Sequence, residues 1–81
     1  MDAKEVRAEQ GILTAELKLL IIDVEEMGLD ESTSEIVIDK ARALLTKLDD
    51  SVTGKELDRV RVELGRLQAV VHQAVLRRKK S

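Results

Sequence analysis

Cysteine, proline, tryptophan, tyrosine and phenylalanine are all missing from these 81 residues, and histidine occurs once. Without cysteine there is no disulfide scaffold, no thiol catalysis and no thiolate metal site. One histidine cannot build a multi-histidine metal site. The lack of aromatic rings removes the stacking platforms that grip single strands and exposed bases. It also forces any core to be aliphatic, which leaves so small a domain a thin stability margin. The longest uncharged apolar run is Leu19-Leu20-Ile21-Ile22, far short of a bilayer span. The amino terminus Met1-Asp2-Ala3-Lys4-Glu5 is acidic and has no apolar signal core. The expectation is therefore an intracellular, cytoplasmic protein.

What is present is a mixture of 43% hydrophobic and 37% charged residues, too apolar for a disordered chain and too charged for a membrane protein. The formal charge is −2, but four of the fourteen basic residues crowd into Arg77-Arg78-Lys79-Lys80. The rest of the chain has ten basic against sixteen acidic residues, a balance of −6. An acidic body with a basic tip is a poor match for a reader of duplex DNA, which needs a broad basic face. The tail offers a nucleic-acid patch as one reading and a complement to a helix end as the plainer one.

Apolar residues recur at helical spacing nearly throughout. Ala3, Val6, Gln10, Leu13, Leu17, Leu20, Val24 and Met27 form one stripe, closed by Gly28 in a left-handed cap with Leu29 folding back. Gly11 lies on the opposite face and weakens the helix, so residues 1–10 are expected to fray. Ser32 and Glu35 fit a capping box ahead of a second stripe, Val37, Ile38, Ala41, Leu44, Leu45 and Leu48. Thr53 and Glu56 make another box, flanked by Val52 and Leu57 as a hydrophobic staple. The third stripe is Leu57, Val60, Leu64, Leu67, Val71 and Ala74. The pattern predicts an all-α, antiparallel up-down-up three-helix bundle in a single domain, with helices near 3–27, 33–49 and 54–78. The outer ends of the first and third helices are expected to project past the second.

Few residues suggest chemistry. His72 falls on the solvent side of the third helix with no acid or nucleophile placed beside it. Gly54-Lys55 lacks the rest of a phosphate loop and reads as a cap. Asp49-Asp50 ends a helix and has no accompanying ligand spacing. No pair of groups is set for acid–base or nucleophilic work, so an enzyme is not expected, nor a metal or cofactor.

Surface patterns say more. Ile12, Leu19 and Ile22 on the first helix, and Val62, Ala69 and Leu76 on the third, form apolar lines away from the main stripes. Surplus apolar surface marks a partner or a self-association face, and a wide buried stripe is the plain alternative. Polar lines flank the seam: Asp39, Arg42, Thr46 and Asp49 on the second helix, Arg61 and Gln68 on the third. They read as solvated flanks or as a polar docking face across adjacent helices.

The order of these features resembles a BAG domain, the three-helix module of Hsp70 co-chaperones, over about residues 12–75. The likeness is carried by Ile12-Leu13 and Asp23-Val24-Glu25-Glu26-Met27-Gly28 in the first helix. It continues in Leu48-Asp49 with the turn Ser51-Val52-Thr53-Gly54, and in Arg61, Leu64, Arg66, Leu67 and Gln68. The resemblance implies docking on the Hsp70 nucleotide-binding domain through the second and third helices. Asp39 and Asp49 match the family's two acidic positions, Arg61 its second basic position and Gln68 its amide. Arg42 lies on the same polar line as the two acids. Val60 stands where the family has arginine, and restoring arginine there is expected to strengthen docking. The implied mechanism is preferential binding to the open nucleotide cleft, which releases ADP. The alternatives are a self-associating bundle, a homodimer being the simplest form, and a nucleic-acid accessory protein led by the basic tail.

Overall fold

The computed structural model describes residues 2–80, with Lys80 as backbone alone. The side chain of Lys80, part of the basic tail, lies outside the described residues. Three helices follow one another, α1 (Ala3–Met27), α2 (Glu31–Lys47) and α3 (Gly54–Lys80). Each packs on both others, with no strand among the described residues, in a rod of 48 × 17 × 15 Å. The architecture is the all-α three-helix bundle that the periodicity predicts, with α1 and α3 running parallel and α2 returning between them.

The core is aliphatic throughout. Leu13, Leu17, Leu20 and Val24 of α1 meet Val37, Ala41 and Leu44 of α2. All six residues of the α3 stripe are buried, Leu57 and Val60 at 0% and 1% exposure. Val6, Ile21, Ile38, Leu45 and Val75 pack around this cluster, half-buried. Met27, the last member of the predicted α1 stripe, is exposed.

Helix boundaries follow local oxygen chemistry. Gly28 adopts φ +66° and Leu29 folds back into the core, so the predicted glycine stop is present. The predicted Ser32 cap is not the one used. Asp30 caps α2, accepting from the Thr33 amide at 3.0 Å and the Thr33 hydroxyl at 2.8 Å, and Ser32 falls in the first turn. A carboxylate offers two acceptor oxygens where a hydroxyl offers one, and here both are used by Thr33. α2 also ends at Lys47, before the predicted residue 49, because Asp49 Oδ1 takes the Ser51 amide at 2.9 Å and the Ser51 hydroxyl at 2.6 Å. This Asx turn pulls the chain out of the helix. At the start of α3 the Glu56 amide donates to Thr53 Oγ1 at 3.3 Å, and the staple residues Val52 and Leu57 are both buried.

Residues 3–10, where fraying is expected from the sequence, are helical in the structure. Asp2 caps α1 by accepting from the Glu5 amide at 2.9 Å, and the helix is continuous from Ala3. Gln10 anchors it: Nε2 donates to the carbonyls of Leu48 at 2.7 Å and Asp49 at 3.1 Å. The Leu48 carbonyl lies at the C-cap of α2, and the Asp49 carbonyl in the turn also accepts from the Val52 amide at 3.1 Å, so one amide side chain stitches α1 to the α2–α3 turn. At the other end, Arg78 Nη1 donates to the carbonyl of Met27. α1 has no basic residue in its last turn, and α3 supplies the cation that its negative end favours. α3 continues to Lys80, two residues past the predicted end.

Candidate protein-interaction surfaces

The groove between α2 and α3 is lined by Lys40, Ala43 and Lys47 on one side and Arg59, Val62 and Glu63 on the other. Its rim carries three basic side chains and two acidic ones, Asp58 and Glu63, over an apolar floor. Near the turn it takes in Thr46, Asp49, Ser51 and Glu56. The groove between α1 and α3 holds Glu16, Leu19 and Asp23 of α1 opposite Gln68, His72 and Val75 of α3.

These two grooves separate the residues that the sequence grouped. Arg61 points to α1: its Nε donates to Glu9 Oε1 at 3.1 Å, Nη2 reaches the same oxygen, and Nη1 meets Asp58 at 3.0 Å. The hydrogen bond and charge of Glu9 hold the guanidinium pKa above its ordinary value, with Asp58 adding to the effect. Gln68 lies in the α1–α3 groove as well. Asp39 and Arg42 are exposed on α2, with Asp39 about 200° around the helix from the buried Val37. Asp49 sits in the turn beyond α2, its carboxyl held below the usual carboxylate range first by the Ser51 hydroxyl and then by the Ser51 amide. The structure therefore brings Arg61 and Gln68 together and places Asp39, Arg42 and Asp49 elsewhere.

Val60 is the sharper departure. It belongs to both readings made from the sequence, as a core residue of the third stripe and as the position of the family's arginine. At 1% exposure it is core. The valine side chain is packed inside the bundle and is not presented to a partner.

Comparison with known proteins is silent. No family model, no curated protein and no solved structure matches the chain. No helix of the described residues is long and apolar enough to cross a membrane. Among the described residues no three His, Asp or Glu side chains gather where a metal ion could be held.

The exposed aliphatics remain. Ile12, Leu19 and Ile22 of α1 are 53%, 58% and 48% exposed, and Val62 of α3 is 56% exposed. The two apolar lines do not meet across one groove, since Val62 lines the α2–α3 side and Leu19 the α1–α3 side. His72 is exposed, as expected, but it shares its groove with the acids Glu16 and Asp23 of α1, where the sequence places none beside it. Arg78 of the basic tail serves the end of α1, and Arg77 contributes a smaller part to the lowered pKa of Asp30, after the hydrogen bonds from Thr33. Sequence reasoning missed Gln10 and Asp30 as structural polar groups. Gln10 at an otherwise apolar stripe position was the available signal for the first.

Proposed function

We propose that the chain is a protein-interaction module that acts by presenting helix faces to a partner, and that a second copy of itself is the partner its surface fits best. One observation carries this reading: large aliphatic side chains stand exposed along the outward line of α1 while the core closes without them. Burying such side chains is the main favourable term in association. Sedimentation equilibrium across a range of loading concentrations tests it. A mass rising with concentration from 9.1 kDa supports self-association, and a constant 9.1 kDa rejects it.

The second reading is docking on the nucleotide-binding domain of an Hsp70 chaperone, as the resemblance to BAG domains implies. The exposure of Asp39, Arg42 and Gln68 supports it, and Arg61 is exposed as well, though engaged by Glu9 and Asp58. In this reading the module binds the open cleft more tightly than the closed one, and ADP leaves. Nucleotide must then weaken the module's binding by the same factor. Release of a fluorescent ADP analogue from the chaperone domain is the assay. Acceleration that is lost on Gln68→Ala and Asp49→Ala supports the reading. No acceleration and no heat of binding end it.

A further inference from the structure

We infer that two copies of this chain pair through α1 in parallel, with Ala8, Ile12, Ala15, Leu19 and Ile22 as the seam. This inference rests on the self-association reading above and gives it an interface and a direction. The five residues are all exposed and step by four, three, four and three along the helix. That is the a/d repeat of a coiled coil, with Ile12 and Leu19 at a and Ala8, Ala15 and Ile22 at d. It runs along the side of α1 opposite Leu13, Leu17, Leu20 and Val24, so the bundle does not obstruct a second helix there.

The charges beside the seam choose the direction. At the e positions stand Glu9, Glu16 and Asp23, on the side toward α3, where Glu9 meets Arg61 and the other two line the groove. At the g positions stand Lys4, Gly11 and Lys18, followed by Glu25. In a parallel pair each g faces an e of the next heptad on the other helix. Lys4 then meets Glu9 of the second copy, and Lys18 meets its Asp23. An antiparallel pair instead sets e against e, three acids against three acids. The e and g charges are what fix orientation in such pairs.

Gly11, at a g position beside the seam, leaves room for a close neighbour. A Cβ added there meets nothing within 4 Å, so nothing in the bundle requires glycine in mid-helix. In the parallel pair the Ile12 side chain of one copy enters a hole formed by Ala8, Gly11, Ile12 and Ala15 of the other. Three small residues around that hole allow the helices to approach closely.

The test uses the full chain, which lacks cysteine and so accepts a single reporter thiol. In sedimentation equilibrium the unaltered chain is expected to approach twice 9.1 kDa with rising concentration. Leu19→Asp is expected to stay monomeric with unchanged helicity, since Leu19 is exposed, whereas Val62→Asp still dimerises. Gly11→Ala weakens association by about tenfold or more, and Gly65→Ala, also with open space around its Cα, leaves it unchanged. Ala8→Cys forms a disulfide-linked dimer on oxidation, because a parallel pair sets the two copies of residue 8 together. A dimer lost on Val62→Asp but not on Leu19→Asp keeps self-association and overturns this interface. Cross-linking of Ala8→Cys only to Ile22→Cys overturns the parallel direction. A monomer up to about 1 mM overturns both readings.

Discussion

Replacing Val60 with arginine separates two accounts of this chain. The resemblance to BAG domains expects the change to restore a docking residue and strengthen Hsp70 binding. The structure expects it to damage the fold, because Val60 is 1% exposed within the core. Losing the buried valine removes about 1.5 kcal/mol of apolar burial. Forcing a longer side chain into a packed site adds about 1–3 kcal/mol, even when the guanidinium bends toward solvent. The sum is about 2.5–4.5 kcal/mol before any residual cost of the charge. At roughly 0.05–0.15 kcal/mol per residue, a chain of 81 residues has about 4–12 kcal/mol in total. With a urea dependence of about 1 kcal/mol per molar, the midpoint should fall by about 3 M. Urea unfolding followed by circular dichroism reads this directly, with the exposed Asp39→Ala as a control that should move little. A Val60→Arg chain with an unshifted midpoint would refute the core placement and return the position to the surface. If that stable variant also bound the chaperone domain more tightly, the family alignment would be right.

The remaining expectations concern polar anchors and glycines. Gln10→Ala deletes both donations to the end of α2 and should cost about 1–2 kcal/mol, read as a lowered melting temperature, with an unchanged melt arguing against the stitch. Asp30→Ala should lower the melting temperature at neutral pH. The Asp30 carboxyl is held below its ordinary value, first by the Thr33 hydroxyl and then by the Thr33 amide, so its contribution is present above the unfolded carboxylate value of about 3.9 and fades as pH falls through the folded one. Melts of the two proteins should therefore converge in acid, and a gap that persists there would refute the cap. Gly28→Ala should destabilise by about 1 kcal/mol because φ is +66°, whereas Gly65→Ala should stabilise by about the same amount. Urea midpoints moving in the same direction for both would contradict one of these backbone assignments.

The parts of the fold that could be read in advance are those set by nearest neighbours. Gly28, the Thr53 cap and the Val52–Leu57 staple each depend on residues within one turn, and their geometry follows from sequence. The α2 start is harder because Asp30 and Ser32 each offer a cap oxygen three residues ahead of an amide, Thr33 for one and Glu35 for the other, and the structure uses Asp30. A lone amide in the apolar stripe marks Gln10, but its acceptors were out of reach, since they lie 38 and 39 residues away. Arg61 and Gln68 show a deeper limit. Their spacing of seven puts them on one flank of α3. Whether that flank faces α1 or α2 depends on which way the bundle turns, and a helical stripe looks the same in either hand. The contact with Glu9 decides it, setting Arg61 and Gln68 on the α1 side of α3.

The same residues explain why α1 has two apolar lines rather than one. A helix that only closes a bundle needs a single inward stripe, and Leu13, Leu17, Leu20 and Val24 supply it. Ile12, Leu19 and Ile22 add nothing to that core, and on a monomer they are exposed surface that water disfavours. Gly11 weakens the helix without relieving any contact inside the bundle. Each of these is a small loss to an isolated domain whose core has no aromatic residue to enlarge it. Set against a second α1, the losses acquire compensation: the aliphatics become knobs, the glycine becomes room, and the acidic and basic flanks meet their opposites. Association also feeds back on folding, because a partner at a hundred times Kd adds about 2.7 kcal/mol to the stability of the bound fold. That is close to the expected cost of Val60→Arg. For so small an aliphatic bundle, the outward face of α1 then belongs to stability as much as to recognition.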